Sequence, residues 1–411
     1  AQDYFPENLL IYNSRQTSAG KLKIIMALAQ SSKPYLIIGV RSAILLPFRN
    51  LGLVIVDEEQ DPSYKQYEPA PRFNARDASL ILAKAHGAST IFGSSTPSFE
   101  SLENMKEGKL KEVNILSRFH DIPPPEIKIV ETAFDTKRGK MNGLFSGYLT
   151  DSLRNTLADR NQALIISAKK YLQDGQISTK IIEEQIKELF PEASVARYDL
   201  DTSAKKSDEK RILNDFASHK YDILVSNRMT GKGFHFPDLN LAAILFAESL
   251  LNQTDFRSGE RALQTIYQIA GRAVREKKKG MVVVQPASVK TPIFRTVRLG
   301  EDSVKELLEE RRLFEYPPFI RMIYLTLRGS DYDSVNNSGK KLGKLLSKIT
   351  GLIFDGPYDP GNSEKLFKLR FILKIPKSRS GTEIKKRVAD LIDLLGNEHG
   401  NITITADVDP A

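Results

Sequence analysis

The sequence predicts an α/β protein with two parallel sheets followed by a smaller α+β domain. Two observations carry this prediction. Short apolar, β-branched runs alternate with helical patterns from about residue 35, and the order of the elements changes over roughly the last hundred residues. The chain has 411 residues, more than one ordinary domain needs, which favours two or three domains.

Each sheet is predicted from apolar runs that have the length of buried strands. The first series is YLIIGV (35–40), LGLVIVD (51–57) and ASTIFG (88–93), and the second is ALIIS (163–167), SVARYD (194–199), DILVS (222–226), LAAILFA (241–247) and GMVVVQ (280–285). Helical patterns lie between them, such as 178–190, where Ser178 or Thr179 is available as the N-cap. Strands separated by such helices indicate βαβ units and parallel sheets.

The remaining segments divide the chain into domains. The Pro-rich stretch 120–130 and the Gly- and Lys-rich stretch 136–143 are interpreted as a connection between the two sheets. The C-terminal region is predicted to contain a strand (321–329), a helix (334–349), a short LIF strand, a strand (366–375), a helix (382–395) and a strand (401–408). This β-α-β-β-α-β order is ferredoxin-like. We therefore expect domains at 1–130, 131–295 and 296–411.

The composition excludes several classes of protein. The chain is 41% hydrophobic and 27% charged, as in globular proteins, and it contains no Cys. Disulfides, thiolate zinc sites and a cysteine nucleophile are therefore excluded, and five scattered His argue against a His-rich metal site. The sequence has neither an apolar run of about 18 residues nor a signal-peptide pattern, so we expect a cytoplasmic protein with no membrane partner.

The charge balance favours a polyanionic partner. Sixty Lys and Arg against fifty-one Asp and Glu give a net charge of +9. Basic side chains release counterions when they neutralise phosphates, so an excess of them suits nucleic acid. Charge alone leaves open a protein with a mildly basic surface and no such partner.

The sharpest chemical motif is Asp57-Glu58-Glu59-Gln60, at the end of the run LGLVIVD. A parallel strand that ends in paired carboxylates places acids at the carboxyl edge of the sheet, where ligands of α/β proteins bind. One carboxylate can hold Mg²⁺ through water, and the next can orient an attacking water. Taken alone, the same pair is more often part of a solvated loop.

Three further motifs follow strands or lie on a helix. Gly93-Ser94-Ser95-Thr96-Pro97 follows one strand, and SNRMTGKGFHFPD (226–238) follows another. Gln268, Arg272 and Arg275 are spaced by four and three, so they share one face of a helix. Arginine is the side chain that stabilises charge on a transferring phosphoryl group, although a lone arginine face is usually solvated.

These motifs in this order resemble those of superfamily-two helicases, and the closest resemblance is to the PriA (primosomal protein N prime) family. The segments that carry it are 38–77, 93–101, 255–276, 315–319 and 407–410. The resemblance extends from about residue 8 to the C-terminus. It implies two RecA-like domains, at 1–130 and 131–295, which sandwich ATP and are followed by a PriA-like C-terminal domain.

The resemblance also implies roles for individual residues. Asp57 would hold Mg²⁺ through water, and Glu58 would orient the attacking water. Gln268, Arg272 and Arg275 would face the γ-phosphate. Ser94, Ser95, Thr96, Lys232 and Gly233 would couple the nucleotide site to DNA.

The segment 64–77 resembles the aromatic-rich loop with which the family senses single-stranded DNA. Its aromatic candidates are Tyr64, Tyr67 and Phe73, and its basic candidates are Lys65, Arg72 and Arg76. Aromatic faces stack on bases while cations meet phosphates, so this composition suits DNA. The alternative is a Pro-punctuated surface loop whose aromatic side chains pack on their own domain.

The sequence departs from the family pattern in three respects, one of which is substitution at motif positions such as His235 and Val274. No G-x-x-x-x-G-K-[ST] is present, since SAGKLK (18–23) and TGKGFH (230–235) lack its spacing and its Ser or Thr. In the family this phosphate loop lies upstream of the point where this chain begins, so an N-terminal truncation would explain its absence. The family also carries eight zinc-binding cysteines before the helix at 178–190, where this chain has only 172–177, so no zinc is expected.

We therefore expect a PriA-like DNA-binding protein of replication restart, of a 3′ to 5′ helicase lineage that acts on forked or single-stranded DNA. ATP and Mg²⁺ are the implied cofactors, and hydrolysis by the 411 residues is expected to be deficient. Single-stranded-DNA-binding protein and other primosome proteins are the implied protein partners. A non-catalytic scaffold that binds replication proteins, or a fragment of an active ATP-dependent helicase, are the alternatives. A metabolic α/β enzyme finds no support, because G-x-G-x-x-G and G-x-S-x-G motifs are lacking.

Overall fold

The computed structural model describes most of the chain. The described residues are 8–13, 15–30, 33–115, 123–168, 178–199, 202, 206–227, 236–251, 255–273, 280–299, 302–361, 366–398 and 402–410. No helix within these ranges is both long and apolar enough to cross a membrane. The chain divides into unit 1, formed by 1–106 and 311–411, and unit 2, formed by 107–310.

Unit 2 is built on a parallel sheet. Among the described residues this sheet has six strands, in the spatial order β5-β12-β11-β8-β10-β9, and every pairing is parallel. The strands are β5 (Glu126–Ile129), β8 (Gln162–Ser167), β9 (Val195–Tyr198), β10 (Ile223–Ser226), β11 (Leu239–Leu245) and β12 (Met281–Gln285). All residues of β8 and β10 are buried, as expected for parallel strands covered on both faces. The predicted α/β class with a parallel sheet is thereby confirmed.

Helices and a short hairpin accompany this sheet. The helices are α4 (Thr132–Lys137), α5 (Gly147–Ala158), α6 (Thr179–Leu189), α7 (Lys206–Ala217), α8 (Ser258–Arg272), α9 (Pro292–Leu299) and α10 (Ser303–Leu313), and the hairpin strands are β6 (Met141–Asn142) and β7 (Phe145–Ser146). The last three residues of α10 fall within unit 1. Of the two predicted caps of α6, Ser178 is the one used, because its hydroxyl accepts the amide of Ile181.

The N-terminal part of unit 1 contains two separate pairs of parallel strands, as far as the described residues show. The elements are β1 (Leu9–Tyr12), α1 (Ser18–Gln30), β2 (Leu36–Gly39), β3 (Leu53–Asp57), α2 (Ala75–His86), β4 (Ser89–Gly93) and α3 (Phe99–Lys106). Strand β1 pairs with β2, and β3 pairs with β4. Helix α2 begins at the N-cap Asn74 and ends at Gly87, whose φ of 66° closes the helix in the left-handed conformation.

The C-terminal part of unit 1 is an antiparallel sheet with helices packed against it. Its elements follow the predicted β-α-β-β-α-β order: β13 (Ile320–Gly329), α11 (Tyr332–Leu346), β14 (Ile353–Tyr358), β15 (Phe367–Pro376), α12 (Arg379–Glu398) and β16 (Thr403–Val408). The described strands lie in the order β14-β15-β13-β16. The core between sheet and helices contains Leu325, Leu342, Phe371 and Val388.

The stretch predicted to connect the two sheets contains a strand of the unit 2 sheet. The stretch 120–130 was expected to connect two sheets, but its last part is β5, which pairs with β12 at the edge of the unit 2 sheet. The two compact units divide along the chain at 106/107, and the domain bounds 1–130 and 131–295 stay a prediction. Sequence reasoning missed β5 because a short strand with only four residues can find its partner far along the chain, which no local pattern reveals.

Candidate functional site

The carboxyl ends of β3 and β4 lie side by side in unit 1. Their register pairs Asp57 with Gly93, so the acids that follow β3 adjoin the Ser-rich segment that follows β4. The amide of Glu59 donates to the carbonyl of Gly93 at 3.1 Å, which extends the contact beyond the strands. The structure thus brings together two motifs that lie about forty residues apart in the sequence.

Asp57 and Glu58 present exposed carboxylates at this edge. The Oδ1 atom of Asp57 accepts the amide of Glu58 at 3.0 Å. Glu58 has a φ of 49°, a left-handed conformation that costs a non-glycine residue on the order of 1 kcal/mol. Backbone strain of this kind is found where a side chain must point in a fixed direction, as at functional sites.

A chain of polar contacts joins these acids to the segment after β4. The amide nitrogen of Gln60 donates to Oε2 of Glu58 at 2.6 Å, and its amide oxygen accepts the hydroxyl of Ser94 at 2.6 Å. The backbone amide of Thr96 in turn donates to the Ser94 hydroxyl at 2.9 Å. Ser95 is exposed beside them. Hydrogen bonds therefore link Glu58, through Gln60, to Ser94 and Thr96.

Tyr64 closes the site from the side of the following loop. Its hydroxyl donates to the carbonyl oxygen of Asp57 at 2.6 Å. Burial raises the pKa of the Tyr64 hydroxyl above its ordinary value, and the charges of Asp57, Glu58 and Glu59 raise it further. The hydroxyl therefore stays protonated at neutral pH and remains a donor.

Below the exposed acids lies a buried ion pair between Glu59 and Arg76. Their closest atoms, Oε2 of Glu59 and Nη1 of Arg76, are 3.1 Å apart. Ser98 completes the cluster: its amide donates to Oε1 of Glu59 at 2.6 Å, and its hydroxyl to Oε2 at 2.9 Å. Sequence reasoning missed Glu59 and Ser98, although Glu59 stands within the acidic motif itself.

Arg76 keeps its charge inside this cluster. Burial works to lower the pKa of its guanidinium, but Asp77, Glu100 and Glu59 outweigh burial and raise the pKa above its ordinary value. Its Nε atom is 2.7 Å from Oδ1 of Asp77, and Nη1 donates to the Ser98 hydroxyl at 2.8 Å. Arg76 was predicted to meet DNA phosphate, whereas the structure directs its guanidinium inward.

Lys65 is likewise directed inward, with only 1% of its surface exposed. Its ammonium group donates to the carbonyl oxygens of Arg72 and Val408 and lies 2.8 Å from Oδ1 of Asp407. It was also predicted to contact phosphate. An ammonium group taken out of water needs compensation, and here two carbonyls and one carboxylate supply it.

The remaining candidates lie on the loop 66–73. Tyr67 exposes 48% of its surface, and its carbonyl oxygen accepts Nε of Arg72 at 2.7 Å. Arg72 and Phe73 are half-buried. The side-chain amide of Gln66 donates to the carbonyls of Pro69 and Pro71, which folds the loop back on its own stem. The loop thus presents one exposed aromatic ring with an arginine beside it.

The predicted γ-phosphate residues belong to unit 2. Gln268 and Arg272 are half-buried on α8 and are one turn apart, so they share a face of that helix. Arg275, Lys232 and Gly233 lie outside the described residues.

The residues present offer only part of a magnesium site, and no group of three or more His, Cys, Asp or Glu among the described residues could hold a metal ion by itself. Mg²⁺ is commonly held by one or two carboxylates together with water and substrate phosphates, and Asp57 offers one exposed carboxylate with Glu58 beside it. Phosphates need a cradle of backbone amides and a lysine, and no such loop is present in the 411 residues. Carboxylates that could contribute to a Mg²⁺ site are therefore present, whereas the loop that would hold the phosphates is not.

Comparison with known proteins agrees with these motifs. The model of the family "Helicase conserved C-terminal domain" matches residues 148–277. Replication restart protein PriA of Rickettsia felis is 28% identical over 423 residues, which cover 89% of this chain. PriA of Haemophilus influenzae is 27% identical over 440 residues, which cover 93% of this chain. The chain is thus similar to PriA proteins over most of its length.

The matches cover less of the relatives than of this chain. The chain spans 64% of the R. felis protein and 60% of the H. influenzae protein. PriA of Bacillus subtilis is 28% identical over 375 residues, which cover 77% of this chain and 46% of that protein.

Solved structures of helicases are also similar to this chain. A structure of RecG bound to a three-way DNA junction has 19% identity and a TM-score of 0.44, and the match covers 75% of this chain and 37% of that one. Mycobacterium smegmatis helicase Lhr bound to single-stranded DNA and AMP-PNP has 12% identity and a TM-score of 0.40, over 71% of this chain and 37% of that one.

Proposed function

We propose that this chain binds DNA as a PriA-like protein of replication restart, and that the loop 66–73 is a contact for single-stranded or forked DNA. The observation that carries the proposal is the arrangement of this loop beside the acids of β3. Tyr67 is exposed next to Arg72, and Tyr64 at the stem is bonded to Asp57. A base can stack on Tyr67 while a phosphate meets Arg72.

The buried cations refine the proposed DNA site. Lys65 and Arg76 do not reach phosphate in this arrangement, because both are bonded to acids and carbonyls inside unit 1. They hold the ends of the loop, whereas Tyr67, Arg72 and Phe73 form its DNA-facing part. Ser94, Ser95 and Thr96, with Lys232 and Gly233 of unit 2, are the proposed links between the acids and DNA.

We further propose that the chain is of an ATP-dependent 3′ to 5′ helicase lineage. Asp57 would hold Mg²⁺ through water, and Glu58 would orient a water. Gln268, Arg272 and Arg275 would stabilise charge on the γ-phosphate. Because the 411 residues contain no phosphate loop, we expect them to hydrolyse ATP poorly by themselves. No zinc is expected, since the sequence has no Cys.

In finer detail, the proposed architecture is two RecA-like domains followed by a ferredoxin-like domain at 296–411. The parallel pairs β1–β2 and β3–β4 support part of a first RecA-like domain, and the sheet of unit 2 supports the second. The order β14-β15-β13-β16, with all pairings antiparallel, supports the ferredoxin-like assignment. A cytoplasmic location and partners such as single-stranded-DNA-binding protein belong to the same proposal.

A DNA-binding measurement under varied salt tests the proposal. Forked and single-stranded DNA should bind the chain, and the logarithm of the binding constant should fall linearly with the logarithm of salt concentration. Arg72→Ala should weaken binding and reduce the salt slope by about 1. Arg154→Ala is the matched control, because Arg154 is an exposed arginine of α5 that pairs with Asp151 within its own helix.

Two outcomes separate the alternatives. No binding to either DNA at low salt would favour a non-catalytic scaffold for replication proteins. ATP hydrolysis stimulated by single-stranded DNA at helicase-like rates, of about 1 per second or more, would favour an active helicase and overturn the proposed deficiency.

A further inference from the structure

The side chain of Lys65 contacts the C-terminal strand β16. A buried lysine is costly unless its ammonium group is paired and hydrogen-bonded. The ammonium group of Lys65 donates to the carbonyl of Arg72 at 3.0 Å and to the carbonyl of Val408 at 2.6 Å, and it forms an ion pair with Oδ1 of Asp407 at 2.8 Å. The buried ammonium group is therefore both hydrogen-bonded and paired with a carboxylate.

These acceptors come from two distant parts of unit 1. Arg72 belongs to the loop 66–73, and Asp407 and Val408 end β16, more than 300 residues later. The end of β16 is itself held firmly. Asp407 lies opposite Tyr324 of β13, and the amide of Asp409 donates to the carbonyl of Met322 at 2.8 Å.

Lys65 also stands at the stem of the loop. It forms an antiparallel bridge with Asn74, and the amide of Gln66 donates to the carbonyl of Phe73 at 2.8 Å. On the opposite side, Nη1 of Arg41 donates to the carbonyl of Lys65 at 2.6 Å. The backbone of Lys65 thus closes the loop, and its side chain ties the closed loop to β16.

We propose that Lys65 is a positioning residue, which fixes the loop 66–73 against β16 so that DNA on the loop and order in the C-terminal sheet are coupled. The DNA half of this inference rests on the proposed function. The coupling acts in both directions, for the following physical reason. A tie that holds the loop ready for DNA lowers the ordering cost of binding, and DNA that holds the loop must then hold β16 as well.

Hydrogen exchange and DNA affinity, measured on the full chain, test the inference. Lys65→Met keeps the length of the side chain and removes its donors, and Lys84→Met on the exposed side of α2 is the matched control. Without DNA, Lys65→Met should speed exchange of the Gln66 and Asp409 amides, while the interior amides of β13 and β15 exchange as in the wild type. Its affinity for an oligothymidylate should fall about fivefold, and Lys84→Met should match the wild type.

The effect of DNA on hydrogen exchange in β16 distinguishes coupling from a merely structural role of Lys65. Oligothymidylate should slow exchange in β16 of the wild type and leave β16 unaffected in Lys65→Met. Asp407→Asn keeps both carbonyl acceptors and should give an intermediate effect, which covers the case in which Lys65→Met fails to fold. If Asp407→Asn and Lys65→Met both have the hydrogen-exchange rates and the oligothymidylate affinity of the wild type, the inference is wrong.

The test also separates this inference from the proposed function. If Tyr67→Ala and Arg72→Ala leave DNA affinity unchanged, the loop is not the DNA contact, and both the proposed site and the coupling to DNA fail. Exchange measured without DNA still decides whether Lys65 fixes the loop. Unchanged exchange of Gln66 in Lys65→Met overturns that tie even if the loop binds DNA.

Discussion

The strands of unit 2 and the strand pair β3–β4 of unit 1 have similar sequences but different surroundings. Strand β8 (QALIIS) is buried at every position. Strand β3 (LVIVD) is as apolar, yet Leu53 is 48% exposed and Ile55 62% exposed. Ile91, opposite Ile55 on β4, is also largely exposed.

This difference shows that the two regions hold their functional side chains by different forces. In unit 2, the burial of apolar strands and helices on both sides of the sheet supplies the stabilisation. At the end of β3, polar contacts predominate: Glu59 with Arg76 and Ser98, and Glu58 with Gln60. We therefore expect the unit 1 site to respond most to polar substitutions, and unit 2 to apolar ones.

The largest expected effect comes from a matched pair of isoleucines. Ile165→Ala in β8 removes a fully buried side chain and should lower the free energy of unfolding of unit 2 by about 3 kcal/mol. Ile55→Ala in β3 should cost about 0.5 kcal/mol or less, because most of that side chain already meets solvent. Denaturant unfolding, followed separately for the two units, measures both. Equal losses of unfolding free energy in the two variants would contradict the difference in burial between β8 and β3.

The next effect concerns the buried ion pair. Glu59→Gln leaves Arg76 with Asp77 but removes the charge that Arg76 meets in the interior, so unit 1 should lose about 2 kcal/mol. Glu383→Gln on the exposed side of α12 is the control and should be neutral. Thermal unfolding that is unchanged by Glu59→Gln would show that the polar cluster does not hold this site.

The smallest effect is a pH dependence of unit 1. Burial raises the pKa of Asp409 above its ordinary value of 3.8; Asp77 and Glu100 raise it further, while Arg321 and Lys65 oppose the rise. The folded state therefore binds this proton more tightly than the unfolded state. Its stabilising contribution is present below pH 3.8 and is lost as the pH rises through the folded pKa.

Asp409→Asn should remove this part of the pH dependence, although it also removes the ion pair between Asp409 and Arg321. Unfolding of unit 1, measured across the acidic range, compares the two proteins. If the free energy of unfolding changes with pH above 3.8 by the same amount in the wild type and in Asp409→Asn, the role assigned to Asp409 is wrong.

Much of the fold follows from local patterns. The apolar runs predicted as strands coincide with β2 to β4 and with the central strands of unit 2, because β-branched residues between turn-forming segments are readable locally. The acids after β3 and the Ser-rich segment after β4 were expected at one sheet edge, and the register of Asp57 with Gly93 puts them there.

The direction of the charged side chains was not predictable in the same way. Lys65 and Arg76 lie in a segment that has the composition of a DNA-binding loop. Their partners in the structure, Val408 and Glu59, depend on tertiary packing. The pairing of β5 with β12 was missed for the same reason, since its partner lies about 150 residues later. Sequence patterns indicate which residues are buried and whether a segment has the periodicity of a helix or of a strand. The long-range partners of a residue depend on the whole fold.

Photo-cross-linking tests the central claim most directly, namely that the loop 66–73 contacts DNA. A photoreactive phenylalanine analogue would replace Tyr67, and the same analogue at Tyr332, an exposed tyrosine of α11, serves as the control. We predict a covalent adduct with single-stranded and forked DNA at position 67, which competing unlabelled DNA and raised salt suppress. Adducts no more frequent at position 67 than at position 332, under conditions where the chain binds DNA, would contradict the account.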